Sequence, residues 1–230
     1  MRLILLRNFL LAIALLVGFA ARADDLADFN RAVEAAAAHN RIAIGYFRNG
    51  NVDLAATEVD RLRDAWGKVS ELPRPSVFDR AGYTIAMTDI ATRLVTADMM
   101  LNLGRPDNAR QALLAIRDDL YGLRKSADVP VLADCIRDAN EAMGRLMTFD
   151  GHVQSDGLRE AAAHYGTALA RCDRMANEIR GEPEFRRLID GAQASVAKVP
   201  EAVANKDEDL LHRLLGELRS FDNLLAFRFG

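Results

Sequence analysis

Apolar residues recur every three or four positions from about residue 25 onward, and no long stretch alternates with period two. This spacing is typical of amphipathic α-helices, because a helix brings residues three and four apart onto one face. The pattern predicts an all-α fold of antiparallel helical hairpins that form one or two up-and-down bundles. Pro200 lies inside the seventh predicted helix, where we expect a kink or a break. The predicted helices span residues 25–48, 52–69, 77–102, 106–125, 130–148, 157–180, 183–204 and 207–228.

A repeat with a spacing of 54 residues relates NGNVDLAATEVDRLRD (49–64) to LGRPDNARQALLAIRD (103–118). In each copy a glycine, Gly50 or Gly104, precedes an aspartate that opens the next helix. Glycine readily takes the left-handed conformation that ends a helix, and a carboxylate in a first turn is stabilised by the exposed N–H groups. The repeat therefore predicts a helical hairpin. A weaker third copy at 205–220 lacks the glycine.

The first 23 residues have the composition of a secretory signal peptide. Arg2 and Arg7 precede an apolar run from about residue 9 to 20, and small residues lead up to Ala23. We expect cleavage after Ala23 and a periplasmic or secreted mature protein. The apolar run is shorter than the roughly 20 residues that a membrane-spanning helix needs, so we expect no stable membrane insertion after cleavage.

The charge of the chain argues against some classes of partner. The whole sequence has a formal net charge of −3, and half of its residues are apolar. Removal of residues 1–23, which contain three arginines and no acidic residue, would make the net charge about −6. An acidic chain is a poor ligand for nucleic acid and for anionic lipid, so neither is expected as a partner.

The segment KSADVP (125–130) divides the mature chain nearly in half. The pattern predicts two bundle halves, residues 24–127 with the two repeated hairpins and residues 128–230.

Cys135 and Cys172 both lie in the second half. In an exported protein the oxidising environment allows the pair to form a disulfide. A loop of this length would stabilise the fold by about 4 kcal/mol in the chain-entropy model. Two free structural cysteines are the alternative.

The stretch SVAKVPEAVANKDEDLLHRLLGELRSFDNLLAFRFG (195–230) resembles the last two helices of the cytochrome c′ and cytochrome b562 group, which are periplasmic four-helix bundles. Haem attachment in the c′ family needs a Cys-x-x-Cys-His motif in the final helix, and residues 221–229 contain neither Cys nor His. The b562 pattern needs a Met in the first helix and a His near the end of the last. Here residues 25–48 contain no Met, and His212 lies at the beginning of its helix. The resemblance thus implies a haem-less bundle, and no cofactor is expected.

Two other interpretations remain open. IAIGYFRNGNVDLAATEVDRL (42–62) is similar to one helical pair of a tetratricopeptide repeat, although the spacing of 54 residues differs from the roughly 34 of that family. A helical-repeat scaffold is therefore one alternative. Met143 and Met147 would share a face with Met175 of an adjacent helix, and thioether sulfur binds Cu(I). A copper-binding bundle is the second alternative, against the more common use of Met to fill gaps in a core.

The sequence lacks the motifs of common enzyme sites. There is no Gly-rich phosphate loop and no Gly-x-Ser-x-Gly motif, and the four histidines lack zinc-ligand spacing. These observations favour a non-enzymatic protein.

The last predicted helix is apolar on more than one face, which exceeds what a surface helix needs. One interpretation is a docking or dimerisation surface. The other is a central helix buried on several sides. We therefore predict a periplasmic binding or assembly module that contacts a protein partner, or itself, through the C-terminal helix. The candidate surface comprises Leu214, Leu218, Phe221, Leu225 and Phe229.

The signal-peptide interpretation predicts a mature protein that begins at Asp24. Intact-mass and N-terminal analysis of the exported protein would measure this directly, because the leader peptidase removes residues 1–23. Recovery of the full-length chain from the cytosol, with the leader still attached, would contradict the prediction.

Overall fold

The computed structural model describes the backbone of residues 2–230 and the side chains of residues 25–230. The predicted signal peptide, residues 1–23, lies outside the described side chains. Within the described chain no strand occurs, so the all-α prediction is confirmed. The helices are α1 (Arg2–Arg48), α2 (Val52–Glu71), α3 (Arg80–Asn102), α4 (Pro106–Ser126), α5 (Leu132–Met147), α6 (Leu158–Met175), α7 (Pro183–Val196), α8 (Val199–Asn205) and α9 (Glu208–Phe229).

Two predicted helices differ from the structure. The helix expected over 183–204 is two helices, because α7 ends at Val196 and α8 begins at Val199 with Pro200 in its first turn. Proline is tolerated there because the first N–H groups of a helix have no intrahelical acceptor. The helix expected over 157–180 ends instead at Met175.

Ion pairs hold the turn that follows α6. Asp173 near the end of α6 accepts hydrogen bonds from Arg180 and Arg186. Burial alone would raise the pKa of Asp173, but these hydrogen bonds and the positive charges outweigh it and leave the pKa below its usual value.

The chain divides into two compact units, Met1–Val129 and Pro130–Gly230. The division falls within the segment 125–130. We call them unit 1, which contains α1 to α4, and unit 2, which contains α5 to α9.

Unit 1 is a group of four helices. In it α1 packs along α2 and α3 packs along α4, while α1 also contacts α4 and α2 contacts α3. Its core includes Phe29, Leu62, Ile90 and Leu113, all of them almost completely buried. Each helix therefore contributes one apolar face to a common interior.

The repeat has a common backbone geometry. Gly50 and Gly104 lie in the left-handed region, with φ of +73° and +67°, directly before α2 and α4. The register that aligns Asp209 with Asp53 aligns Lys206 with Gly50. Lys206 also lies in the left-handed region, with φ of +54°, and it ends α8. The third copy thus keeps the backbone conformation of the other two although it lacks their glycine.

Unit 2 is built around α9. This helix packs against α5, α7 and α8, and α6 contacts α5, α7 and α8. A disulfide joins Cys135 of α5 to Cys172 of α6, with a Cα–Cα distance of 5.4 Å, and confirms the predicted pairing. Both cysteines are buried in the core of the unit.

Replacement of Lys206 by Gly is expected to raise the free energy of unfolding by about 0.5–1 kcal/mol. A side chain in the left-handed region costs about 1–2 kcal/mol, and the greater freedom of Gly in the unfolded chain offsets part of the gain. Denaturant unfolding followed by circular dichroism would measure the change. The matched control is Gly104→Ala, whose added Cβ meets no atom within 4 Å, so that its expected destabilisation is purely conformational. A Lys206→Gly protein less stable than the parent would contradict the left-handed conformation of Lys206.

Candidate functional site

The surface of α3 that faces away from the core of unit 1 is free of charge. The 23 residues of α3 include four charged side chains, and none of these points outward from the middle of this surface. Ten uncharged residues fall within an arc of about 140° on a projection of 100° per residue. Nine of the ten are exposed, and Thr96 is half-buried. We call this set the α3 face: Ala81, Thr84, Ile85, Thr88, Ala91, Thr92, Val95, Thr96, Met99 and Asn102.

Large apolar side chains of the α3 face are in contact with solvent. Ile85 is 61% exposed, Val95 68% and Met99 48%, and Leu103 directly after the helix is 58% exposed. These are half of the eight large hydrophobic side chains that are exposed in the described part of the chain. Three of the eight thus lie on α3 itself and a fourth directly follows it, which is more than on any other helix of the described chain.

The opposite face of α3 is also apolar. Ala86, Ile90, Leu94 and Ala97 are buried in the core of unit 1. A surface helix normally carries one apolar stripe, and a helix that is apolar on two sides is normally covered on both. The second stripe of α3 has no cover from within its own unit.

The threonines of the α3 face add to its apolar character. Thr92 donates its hydroxyl to the Thr88 carbonyl oxygen, and Thr96 donates to the Thr92 carbonyl oxygen, both at 2.8 Å. The hydroxyls of Thr92 and Thr96 thus have partners in their own helix. Contact with another apolar surface would leave these hydrogen bonds intact and bury the methyl groups.

Charged residues border the α3 face on both sides. Asp89 and Arg93 lie on one flank, where Arg93 Nε is 3.6 Å from Asp119 of α4. Arg80 and Asp98 lie on the other flank, where Asp98 is 3.7 Å from an arginine of α2, Arg63. Neither Asp89 nor Arg80 takes part in an ion pair within residues 25–230. The arrangement is an apolar strip with a polar rim, which is typical of protein interfaces.

The C-terminal helix does not present the predicted surface. Leu214, Leu218 and Leu225 are buried in the core of unit 2, and Phe221 and Phe229 pack against that core. These five residues therefore do not form an exposed surface. Their burial favours the alternative interpretation, a helix covered on several sides.

The two aromatic residues of that set have specific neighbours in α7. Gly191 makes room for the Phe221 ring, because a Cβ at this position would approach the ring to 2.5 Å. Phe229 packs edge-to-face on Phe185, with 5.3 Å between ring centroids. Contacts with α7 thus cover part of the apolar surface that α9 has beyond a single face. Leu224 and Phe227 remain 45% and 39% exposed.

A buried carboxylate lies in the core of unit 2. Asp222 of α9 is 3% exposed and accepts hydrogen bonds from the amide of Asn140 in α5 and from the Tyr165 hydroxyl in α6, the latter at 3.4 Å. Both donors are neutral. Burial raises the pKa of Asp222 to about 6, although the two hydrogen bonds act in the opposite direction. Burial, together with the nearby carboxylate, also raises the pKa of Tyr165. The group links three helices, and its charge changes near pH 6.

Unit 1 also contains a buried carboxylate, which contacts a histidine and an arginine. Glu58 of α2 is 6% exposed. Its oxygens are 2.7 Å from His39 Nδ1 in α1 and 2.5 Å from Arg61 Nη1. This carboxylate joins α1 to α2 and has both oxygens occupied, so it is poorly suited to act as a general base.

The candidate metal ligands are dispersed or buried. Met143 is buried in the core of unit 2, and Met147 and Met175 pack against that core, as expected of methionines that fill gaps. Two of the histidines contact single partners, His164 with Arg145 and His212 with Asp150. Among residues 25–230, no group of three or more His, Cys, Asp or Glu side chains is arranged to hold a metal ion.

Comparison with protein-family models, with curated proteins and with solved structures gives no match to this chain. The resemblance of residues 195–230 to the cytochrome c′ and b562 group therefore stays a prediction. In the described part of the chain, no helix has the length and apolar character to cross a membrane.

Replacement of Asp222 by Asn is expected to stabilise unit 2 at neutral pH. The pKa of Asp222 in the folded protein, about 6, is above the ordinary value of 3.8, so the folded state holds the proton more tightly than the unfolded chain. The resulting stabilisation is complete below about pH 4 and is lost as the pH rises through 6. At pH 7.5 the ionised carboxylate costs up to about 3 kcal/mol, which Asn avoids while keeping the shape. The Asn oxygen accepts from Tyr165, and its NH2 group donates to Asn140 once that amide turns its oxygen inward.

The measurement is the difference in free energy of unfolding between parent and Asp222→Asn as a function of pH, in which the contributions of the other groups cancel. The advantage of the variant is expected to grow between about pH 4 and 7. Tyr165→Phe, which removes one donor to the carboxylate, should move the midpoint of this change to higher pH. A difference that stays constant over this range would show that Asp222 does not titrate as described.

Proposed function

We propose that this protein is a non-enzymatic binding or assembly module of the periplasm or another exported compartment, and that it contacts a protein partner through the α3 face. The observation that carries the proposal is the exposed, charge-free strip with Ile85, Val95 and Met99 directed outward. Large contiguous apolar patches are uncommon on monomeric soluble proteins and often mark interaction sites.

The geometry of the strip supports recognition by helix packing. Apolar and small side chains recur along α3 at intervals of three, four and seven residues, which is the pattern of a helix that packs into a groove or against another helix. The small residues Ala81, Thr88 and Thr92 allow close approach of a second backbone, and the larger ones supply apolar area. The candidate surface thus lies on α3 rather than on the C-terminal helix.

Two observations support an exported location. Residues 1–23 have the composition of a signal peptide. The Cys135–Cys172 disulfide is of a kind that persists in oxidising compartments and is rare in the cytosol. The acidic net charge supports a protein partner over nucleic acid or anionic lipid.

The non-enzymatic part of the proposal rests on the partners of the buried carboxylates. Asp222 and Glu58 each join helices within one unit and have their oxygens bound by neighbouring side chains. These contacts account for both groups as structural links, and no cofactor is required for them.

Site-specific photo-crosslinking in the exporting cell tests the proposal. A photoreactive amino acid at Val95 is expected to give a covalent protein adduct, identified by mass spectrometry, because this position lies within the contact. The matched control is Thr57, an exposed position on α2 of the same unit, where no adduct is expected. Equal adduct formation at both positions, or none at either, would contradict the proposal.

A further inference from the structure

We infer that the partner of the α3 face is the α3 face of a second copy of this chain. The two helices run antiparallel, and the two-fold axis crosses the contact between them at the level of residue 90, on the side of α3 opposite the buried Ile90 side chain. The inference rests on the proposed function, since it specifies which protein binds at that surface.

The first argument is the symmetry of the strip about residue 90. Two inner pairs of the α3 face lie at equal distances from this position and are alike, since Thr88 matches Thr92 and Ile85 matches Val95, whereas the counterpart of Ala91 is Asp89 on the flank. Further out, Thr84 matches Thr96, and Ala81 matches Met99. A two-fold interface uses the same patch on both subunits, so residue i of one copy meets residue j of the other and the reverse. In this register Ile85 shares a layer with Val95, Thr88 with Thr92 and Ala81 with Met99, while Thr84 and Thr96 lie on opposite flanks of the contact.

The sizes of facing side chains are also complementary in this register. The bulky Met99 of each copy lies opposite the small Ala81 of the other, at both ends of the strip. Ile85 and Val95, the two most exposed large side chains of the α3 face, lie opposite each other. Near the axis the threonines allow the helices to approach closely. A register shifted by one heptad would place Ile85 against Asn102 and would lose this correspondence.

The second argument is the charge on the flank towards α2, where Asp98 approaches Arg63. Between antiparallel helices, the same flank of each copy faces its equivalent. In the proposed register Arg80 of one copy lies two residues, or about 3 Å along the axis, from Asp98 of the other. The same pair forms a second time by symmetry. Opposite charges thus meet on this flank, and Arg80 has no ion pair within the described part of its own chain.

On the other flank the charges are mixed. Asp89 of each copy lies close to the two-fold axis. Measured along the helix, it is two residues from Asp89 and also two residues from Arg93 of the second copy. Arg93, which lies 3.6 Å from Asp119 in its own copy, partly offsets the repulsion between the two Asp89 carboxylates. This flank therefore neither favours nor opposes the pairing strongly, and the Arg80–Asp98 pairs select the orientation.

The size of the strip sets the expected affinity. From Ala81 to Met99 it is about 27 Å long at 1.5 Å per residue, and a helix is about 10–12 Å wide. Such a contact is at the low end of the areas buried by stable interfaces. We expect a reversible dimer with a dissociation constant of about 1–100 μM.

Sedimentation equilibrium of the purified mature protein tests the dimer. The parent is expected to associate over the micromolar range, and Val95→Glu is expected to weaken association at least tenfold, because it places two buried charges near the axis. Thr57→Glu on α2 is the control and is expected to associate like the parent. Circular dichroism and thermal unfolding verify that both variants fold. A parent that is monomeric up to about 200 μM would overturn the inference.

A charge exchange tests the orientation. Arg80→Asp and Asp98→Arg each place like charges opposite each other twice in their own homodimer, and each is expected to weaken self-association several-fold. An equal mixture of the two variants restores both pairs with opposite charges, so the mixed dimer is expected to be tighter than either homodimer. Both substitutions suit the helix dipole, with Asp at the N-terminus and Arg towards the C-terminus. Asp98→Arg also replaces the exposed pair with Arg63 by a like-charge contact, which costs little between exposed side chains, so thermal unfolding of each variant verifies that unit 1 stays folded. A mixture that associates no better than the single variants would overturn the proposed register.

The outcomes separate this inference from the proposed function. A monomeric parent together with a Val95 adduct to a different protein retains the binding module and overturns the self-association. A monomeric parent with no adduct at Val95 overturns both. A Val95 adduct with the mass of two copies supports both.

Discussion

Unit 1 is held together by the burial of one apolar face from each of its helices, and α3 has a second such face. The interior of the unit takes up Ile90 and Leu94, and the removal of such side chains from water is the main favourable contribution to folding. Ile85 and Val95 on the outer side contribute nothing to that core. The same physical effect that drives folding therefore remains available on α3 for association with another molecule. The proposed function and the proposed dimer both depend on this remaining apolar surface.

Unit 2 differs from unit 1 in how far its apolar surface is covered and in the polar and covalent links of its core. Its last helix is also apolar on several sides, but α5, α7 and α8 cover it, so that little apolar surface remains for a partner. Its core contains Asp222, whose ionisation opposes folding at neutral pH. The disulfide between α5 and α6 acts in the opposite direction, since it restricts the unfolded chain. Unit 2 thus combines a buried polar link with a covalent one.

The sequence predicted the secondary structure closely because the signals are local. Apolar spacing defined the helices, and Gly50 and Gly104 marked turns that require the left-handed conformation. Lys206 takes the same conformation at the end of α8 without the corresponding glycine. The disulfide was predictable because the chain contains two cysteines and has an apparent leader sequence.

The candidate site was not predicted. The inner stripe of α3, with Ile90 and Leu94, and the outer stripe, with Ile85 and Val95, have the same helical period, so the spacing alone does not show which of the two lies in a core. A usable signal was present, since α3 has four charges in 23 residues and none on one side. The sequence pattern favours the C-terminal helix instead, because its apolar residues are larger and more numerous. Size and number of apolar residues do not reveal which face has neighbours.

The amino-acid sequence by itself determined the helices, most of their ends, the turns of the repeat and the pair of cysteines available for a bridge. These depend on the conformational preferences of residues close together in the chain. The tertiary structure alone decided that α9 is covered, that Asp222 is enclosed by Asn140 and Tyr165, and that the outer face of α3 is exposed. Burial is a property of the neighbours that a helix acquires, and in this protein those neighbours come from distant parts of the chain.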